Sequence, residues 1–600
     1  MAGLLGIISH TRHAVAESEL AGLIEAFIAV RGGQPQRQLE AGGWAYVAVV
    51  DIGPEATVAS AGRSWFAAVG AVHADLDLLP ASPSAVDGQF AGARYDAEAD
   101  VVEVFNDPLG MQALYVAERS GRTFFSTSAA ALAGYLGAEP DTLGVQVLLR
   151  SGVQIGPLTH WRGVERVEPS TALAFGVNGV QRREYWRPEV NERVRAMTLE
   201  QTADHCVEVM LSVVRKRFAR TPPLWVDLTG GFDSRMVLAA VLRSGASFTA
   251  NTNGEEGDPD VCIAREVADA AGCAWQHIRL APDWADDASA LLQGAAWADG
   301  TLNIFQLARV LRQHQMKAAT SQYVVTGGGG EHFNSFPWQQ EFLRAGRSRT
   351  VNYDALLKMR YLKQVSTFAL QCDPDPAVTE YFSENLSNRA QRYANRPNTT
   401  QLDAIYAYKS VGHFGAFRSA GEGIVRTEVP CYYREIFDCA FSAHHRWRTS
   451  HRLQRRIITR LSPALAAVPT THGGSAQPFT IRNARNVLPY YTSVAKRAAR
   501  KLSRRGKPAL PARRGTSLVE RDRQYVQLLR SRDVFNPREM RSAELYDPAR
   551  LRDFVARTDE RGFTDWEMLG RIASVELALR AAGLAQDRSS TRLRSQPRLD

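Results

Sequence analysis

The run Leu224-Trp225-Val226-Asp227-Leu228-Thr229-Gly230-Gly231-Phe232-Asp233-Ser234 decides the fold. Its first half is apolar and as long as a strand. It empties into two glycines, and the residues from Ser234 then keep helical spacing up to Gly245, as a helix ending on glycine does. A buried strand turning through glycine into a helix is the unit of a parallel sheet covered by helices. The alternation repeats downstream, with a strand at 247–253, a helix at 260–272, a strand at 275–280 and an apolar run, 322–330, that ends in glycines. Ligands of such sheets lie beyond the carboxyl ends of the strands, where both glycine turns fall.

The first turn has the parts of an anion site. Backbone N–H groups at a helix start hold phosphate oxygens, and glycines let the backbone come close. Thr229 and Ser234 add hydroxyls. Asp233 is itself an anion, so it fits as a ligand of Mg²⁺ carried by a nucleotide. The second turn, Thr326-Gly327-Gly328-Gly329-Gly330-Glu331-His332-Phe333, brings another acid to the same edge. Two acids from two strand ends can share a metal bound to a leaving pyrophosphate, where negative charge builds. The plain alternative is that each string is only a tight turn between a strand and a helix.

Outward from this centre, residues 1–190 carry short apolar runs at 44–51, 89–96, 101–107, 113–118 and 123–128, separated by turn residues such as Asp87-Gly88, Asp107-Pro108 and Ser120-Gly121. They predict antiparallel sheets in a layered α+β domain. Residues 198–218 predict an amphipathic helix, and from about 350 onward the pattern is mostly helical. The expected organisation is a first domain at 1–190, a second at 198–490, a basic linker at 491–520, a helical part at 521–588 and a disordered tail at 589–600.

Bulk properties suit a folded protein: 600 residues, 45% hydrophobic and 22% charged. The net charge is +9, and residues 496–514 alone hold nine Lys/Arg and no acid, so the excess belongs to one segment. That segment reads as a solvated insertion, with attraction of an acidic peptide or RNA as the alternative. No RNA-binding module is visible, and nucleic acid is not the expected partner. The six cysteines are scattered without a CxxC pair, which argues against a disulfide framework or zinc and for buried thiols in a reducing cytoplasm. No stretch reads as a signal peptide or a membrane span, so no membrane partner is expected.

Thr229–Ser234 resembles SGGxDS, the PP-loop of ATP pyrophosphatases that release AMP. With Thr326–His332 standing for SGxGxDE about a hundred residues later, the sequence resembles the asparagine synthetase family. Gly257-Asp258-Pro259-Asp260 with Ala264, Val267-Ala268 and Gly272 is similar to the family's stretch after the second strand, and Val425–Asp438 is similar to EARVPFLDKEFLD. In the first half, Asp87–Ala91 resembles DGxFA, Asn106–Gly110 with Leu114-Tyr115 resembles RDRLGxxPLYY, and Gly121–Ser126 with Ala131-Leu132 resembles FASExxAL. The resemblance runs over roughly residues 1–480.

It implies an N-terminal hydrolase-like glutaminase domain, followed by a PP-loop domain of the adenine nucleotide α-hydrolase type with a helical C-terminal part. ATP and Mg²⁺ are the implied cofactors. Leu228, Thr229, Gly230, Gly231, Asp233, Ser234, Thr252, Gly327 and Gly328 would bind ATP and pyrophosphate. Asp233, Ser234 and Glu331 would be catalytic, with Asp233 and Glu331 as metal ligands; Arg426, Glu428 and His472 are the substrate-side candidates.

Three departures shape the expected reaction. The family's glutaminase nucleophile is Cys directly after the initiator Met, where this chain has Ala2, and the first cysteine is Cys206. Glu331-His332 stands where the family has Asp-Glu. No Lys occurs in 468–474, where the family has a late catalytic one, leaving His472 or a nearby Arg as a replacement. The expectation is a cytoplasmic, AMP-forming amide ligase that does not hydrolyse glutamine. Its substrate is a small molecule or peptide bringing both carboxylate and amine. Lasso-peptide macrolactam closure, with a precursor peptide and a leader peptidase as partners, is the leading case, and β-lactam synthetases are a related precedent. The alternatives are an ammonia-dependent asparagine synthetase and a non-catalytic scaffold.

Overall fold

The computed structural model describes the chain apart from residues 1–2, 52–55, 74–78, 219–222, 282–288, 363–368, 371–375, 504–515, 561 and 596–600. Among the described residues the first half has twelve strands: β1 (Gly3–Ser9), β2 (Gln34–Ala41), β3 (Ala45–Asp51), β4 (Ala56–Ala61), β5 (Ser64–His73), β6 (Asp87–Asp96), β7 (Val101–Asn106), β8 (Tyr115–Arg119), β9 (Arg122–Ser126), β10 (Glu165–Arg166), β11 (Thr171–Gly176) and β12 (Gly179–Glu184). They form two antiparallel six-stranded sheets, in the orders β10-β8-β9-β1-β3-β2 and β12-β11-β7-β6-β5-β4. Successive strand residues point to opposite faces. In the first sheet Leu4, Ile8, Val47, Val49 and Phe125 meet the second sheet, whereas Leu5, Ile7, Ala48, Val50 and Phe124 meet helices. Both faces are covered, which is why β1 and β3 read as continuous apolar runs without alternation.

The covering helices are Glu17–Arg31 and Ala129–Leu136. A third layer lies over them: the C-terminal helix Trp566–Ser595 packs on both, with Ala578, Ala582 and Ala585 in one core with Ala129–Ala133. The helical part at 521–588 thus closes the N-terminal domain's core from outside. Two boundary expectations need correcting. Helix Ala484–Ser503 runs into the expected linker, and a further helix, Thr516–Ser531, begins before its end. Residues 504–515 lie outside the described residues. The expected disordered tail, 589–600, is helical as far as Ser595.

The second half is built on a five-stranded parallel sheet, β13 (Leu224–Asp227), β14 (Phe248–Asn253), β15 (Trp275–Ile278), β16 (Tyr323–Val325) and β17 (Arg426–Glu428), in the order β15-β14-β13-β16-β17. The strand that carries the glycine turn, β13, is central. β17 is the exception to the helical pattern after 350. Helices Leu199–Phe218, Asp233–Ser244, Pro259–Ala271 and Arg452–Leu461 share one core beneath it. The halves meet across buried polar bonds. Arg31 pairs with Asp299 at 3.1 Å, and Asp299 also accepts from Ser128 Oγ (2.8 Å) and Ala130 N (3.0 Å). Arg217 donates to Asp87 at 2.7 Å and Gln89 Nε2 to the Val429 carbonyl at 2.9 Å. Among the described residues no helix is long and apolar enough to cross a membrane.

Candidate active site

The chain leaves β13 at Asp227 and enters the next helix at Asp233. Short oxygen side chains hold the intervening turn open. Thr229 N donates to Ser234 Oγ (3.1 Å), the two hydroxyls of Thr229 and Ser234 lie 2.9 Å apart, and Gly231 N donates to Thr229 Oγ1 (3.3 Å). Gly230 N donates to Asp260 Oδ1 at 2.9 Å, at the start of the following helix. An oxygen anion already sits on the loop's N–H, the position that a phosphate oxygen takes in such turns. Leu228 is buried behind it, its N–H held by the Asn251 carbonyl.

The second turn touches the first, and only glycine permits it. A Cβ on Gly327 would stand 2.6 Å from Ser234 N, and one on Gly330 would stand 2.6 Å from Asp233 Cγ. Glu331 therefore arrives beside Asp233 from a different strand end. Burial raises the Asp233 carboxyl well above the usual carboxylate range, and the Glu331 charge adds to it; burial raises Glu331 in the same direction. Gln454 Nε2 donates to Asp233 Oδ1 and, at 3.1 Å, to the Gly330 carbonyl. Glu331 Oε2 is buried with no hydrogen-bond partner among the described residues. Two neighbouring acids, one with an orphaned oxygen, fit a hard divalent cation such as Mg²⁺.

A wall of rings flanks the first turn. Phe232 stacks on His451 at 4.2 Å and on His472 at 5.9 Å, with Tyr490 edge-on at 6.0 Å. His451 holds Gln454 through Nδ1 and Oε1 at 2.5 Å, so His451, Gln454 and Asp233 form one chain. The segment carrying His472 is clamped over the turn: Thr471 N donates to the Gly230 carbonyl (3.0 Å), and buried Arg235 donates to the carbonyls of Leu465, Val468 and Pro469. Arg455 donates to the carbonyls of Ser475 and Gln477. These arginines spend hydrogen bonds on the position of the segment where the family's lysine is expected.

The other candidates are placed as follows. Gly328 faces Phe414, whose ring lies 2.7 Å from where a Cβ would be. The Thr252 hydroxyl accepts from Trp275 Nε1 (3.1 Å), toward β15 and away from the loop pair. Arg426 and Glu428 sit on β17 beside the second turn and pair with each other at 2.7 Å, with the charges exchanged relative to EAR in the family motif. His332 is packed among Tyr406, Tyr432 and Phe437, and burial pushes it down to about 3, so it is a neutral core residue. Ala2 lies outside the described residues. Gln454, His451, Arg455 and the contact of Asp260 were not anticipated. Only Asp260 had a sequence signal, its place in Gly257–Asp260.

Two domain families match this layout. Residues 80–186 match a glutamine amidotransferase domain and residues 207–467 match asparagine synthase. Amidase chyE of Penicillium rubens is 23% identical over 275 residues, 42% of this chain and 40% of that protein. Asparagine synthetase [glutamine-hydrolyzing] 3 of Bacillus subtilis is 22% identical over 157 residues, 26% of this chain and 25% of that protein. The chain thus spans well under half the length of the curated relatives it matches. Among solved structures, the allosteric regulatory enzyme of purine biosynthesis aligns over 46% of this chain and 64% of its own, at 12% identity and a TM-score of 0.22. Glutamine phosphoribosylpyrophosphate amidotransferase from B. subtilis aligns over 46% and 65%, at 11% identity and the same score. The two domain matches, in this order on one chain, support a place in the asparagine synthetase family.

Proposed function

We propose that this chain is an ATP-dependent, AMP-forming amide ligase that takes no ammonia from glutamine. The observation that carries the reading is the meeting of Asp233 and Glu331 at the glycine turns, with Glu331 Oε2 left unpartnered. The substrate carboxylate attacks the α-phosphorus of ATP. The backbone N–H groups of Gly230 and Gly231 and the hydroxyls of Thr229 and Ser234 hold the leaving pyrophosphate. Phosphate oxygens displace the Asp260 carboxylate from Gly230 N as they enter. Asp233 and Glu331 would hold Mg²⁺, which supplies positive charge where the pyrophosphate charge develops. Gln454 fixes the orientation of Asp233. The segment 468–475, pinned by Arg235, covers the turn and keeps water off the acyl-adenylate. An amine then attacks the acyl carbon, releasing AMP and leaving an amide.

The amine comes with the substrate. The amidotransferase-like half carries no thiol before Cys206, so no thiol nucleophile for glutamine hydrolysis stands in residues 1–205. A peptide closing its own amine on a side-chain carboxylate, as in lasso-type macrolactams, suits this arrangement; a precursor peptide and a leader peptidase would be its partners.

ATP–pyrophosphate exchange with Mg²⁺ tests the reading. Exchange dependent on a peptide carboxylate and absent with aspartate supports macrolactam closure. Exchange with aspartate makes the chain an ammonia-fed asparagine synthetase. No exchange with any carboxylate, in a protein that is folded by calorimetry, overturns the ligase reading in favour of a scaffold.

A further inference from the structure

Helix Ala484–Ser503 is tied to the phosphate turn by one small hairpin. Thr471 N donates to the Gly230 carbonyl (3.0 Å), Pro469 pairs antiparallel with Ser475, and Ser475 N donates to the Asn486 carbonyl (2.8 Å). The helix turns its main apolar stripe inward, where Val487 and Tyr490 are buried and Tyr490 meets Phe232 edge-on. Its outward side is also apolar in part. Ile481 is 92% exposed, and Phe479 and Leu488 are about half exposed. Phe479 stands edge-on to Tyr491 at 6.1 Å, so the loop before the helix and the helix itself meet in this patch. Arg482 and Arg485 are exposed beside it, and neither has an ion-pair partner among the described residues. The charge extends well beyond these two. Residues 439–519 hold seventeen Lys/Arg and no Asp/Glu in a chain of net charge +9, so the remainder of the chain is net acidic. Some of these cations are engaged from outside the segment, Arg448 by Asp403 and Arg456 and Arg460 by Glu200. Those at the patch are not. An exposed apolar patch rimmed by charge of one sign marks an interaction site.

We propose that the face made by Phe479, Ile481, Leu488, Arg482 and Arg485 docks an acidic polypeptide segment that carries aliphatic side chains and, resting on the ligase reading above, that this segment belongs to the substrate whose carboxylate is activated at the adjoining turn. Charge selects the occupant. A second copy of this chain would bring the same cations to the same face and be repelled. A helix lying in a membrane interface turns its apolar stripe outward, whereas this helix buries its stripe and leaves apolar groups on a loop and on one side of the helix. Single-stranded RNA needs rings on which successive bases stack, and two of the three large exposed side chains here are aliphatic. An extended peptide suits the patch, because its side chains alternate. Glutamates on one side reach Arg482 and Arg485 while leucines or valines on the other cover Ile481 and Leu488. A peptide held there has its next residues beside the hairpin that covers the phosphate turn. Docking thus raises the local concentration of the carboxylate at the site.

The test is fluorescence anisotropy of a short labelled peptide alternating glutamate with leucine, titrated with the full-length protein. The expected result is saturable binding that weakens as salt is raised and is absent when lysine replaces glutamate in the peptide. Ile481→Ser with Leu488→Ser, and separately Arg482→Glu with Arg485→Glu, should each weaken binding about tenfold or more. Both variants should keep a thermal midpoint near wild type, because all four side chains are exposed. No binding by the wild-type protein would overturn the proposal. So would wild-type affinity in both variants, or capture of the protein by phosphatidylserine vesicles or polyuridylate RNA with no binding of the peptide. ATP–pyrophosphate exchange on the same samples separates docking from ligation. Peptide binding that is lost in the variants, with no exchange in any sample, keeps the docking surface and removes the ligase reading. Peptide-dependent exchange as strong in the variants as in the wild type removes the docking surface alone.

Discussion

Asp107 in the first half and Asp233 in the second are both acids buried at turns that follow strands, and the protein treats them in opposite ways. Asp107 accepts three backbone N–H bonds, from Leu109 and Met111 at 3.1 Å and from Gln112 at 2.8 Å. Three of its roughly four acceptor positions are taken up by its own turn. Asp233 receives one side-chain amide, from Gln454, and faces a second acid. A carboxylate engaged by several amides builds a loop, whereas an under-supplied pair of carboxylates keeps acceptor capacity that a cation could use. The contrast is between these two acids: Asp107 holds its own turn together, and Asp233 meets a second acid that has one oxygen unpartnered among the described residues.

The largest effect that would break this contrast lies at Asp233. Asp233→Ala should lower ATP–pyrophosphate exchange by roughly 10³-fold or more, the scale of losing a group that stabilises developing charge, with little loss of stability. Retained exchange would remove Asp233 from the chemistry. The mirror experiment is Asp107→Ala, which strands three buried N–H groups. It should cost about 3 kcal/mol of folding stability in urea titration and leave exchange by the folded enzyme unchanged.

A third measurement sharpens the comparison through pH. Asp233 ionises near 3.8 when unfolded and is pushed up to about 7 in the fold, first by burial and then by Glu331. Between those values the folded protein holds a proton that the unfolded chain has released. The stabilisation is complete below pH 3.8 and is lost as pH rises through about 7. Without nucleotide and Mg²⁺, stability should therefore fall by on the order of 2 kcal/mol across this window, and Asp233→Asn should flatten much of the slope. Thermal melts from pH 5 to 8 would show it. The smallest effect is expected at Gln454: Gln454→Ala frees Asp233 to rotate and should slow exchange about tenfold while leaving ATP affinity nearly unchanged.

Much of this was legible in the sequence. Glycine where two turns must touch, hydroxyls at 229 and 234 and acids at 233 and 331 are local requirements, and local spacing reveals them. The linker expected at 491–520 was misread in part because a run of arginines and lysines looks solvated whether or not it is helical; Ala484–Ser503 is a helix whose basic positions accompany an apolar stripe with Val487 and Tyr490 buried. Gln454 and His451 gave no signal, since a glutamine and a histidine amid basic helical residues are ordinary until a distant loop is laid against them.

By itself the sequence determined the strand–turn–helix units, the two glycine turns with their acids and the absence of a thiol from the first half, because periodicity, glycine and residue type act within a few positions. Only the tertiary structure decided that Gln454 orients Asp233, that Arg235 pins the segment 468–469 over the phosphate turn, and that the last helix closes the core of the first domain. These contacts join residues more than two hundred positions apart, and it is the burial of apolar faces against one another, which no local pattern encodes, that selects them.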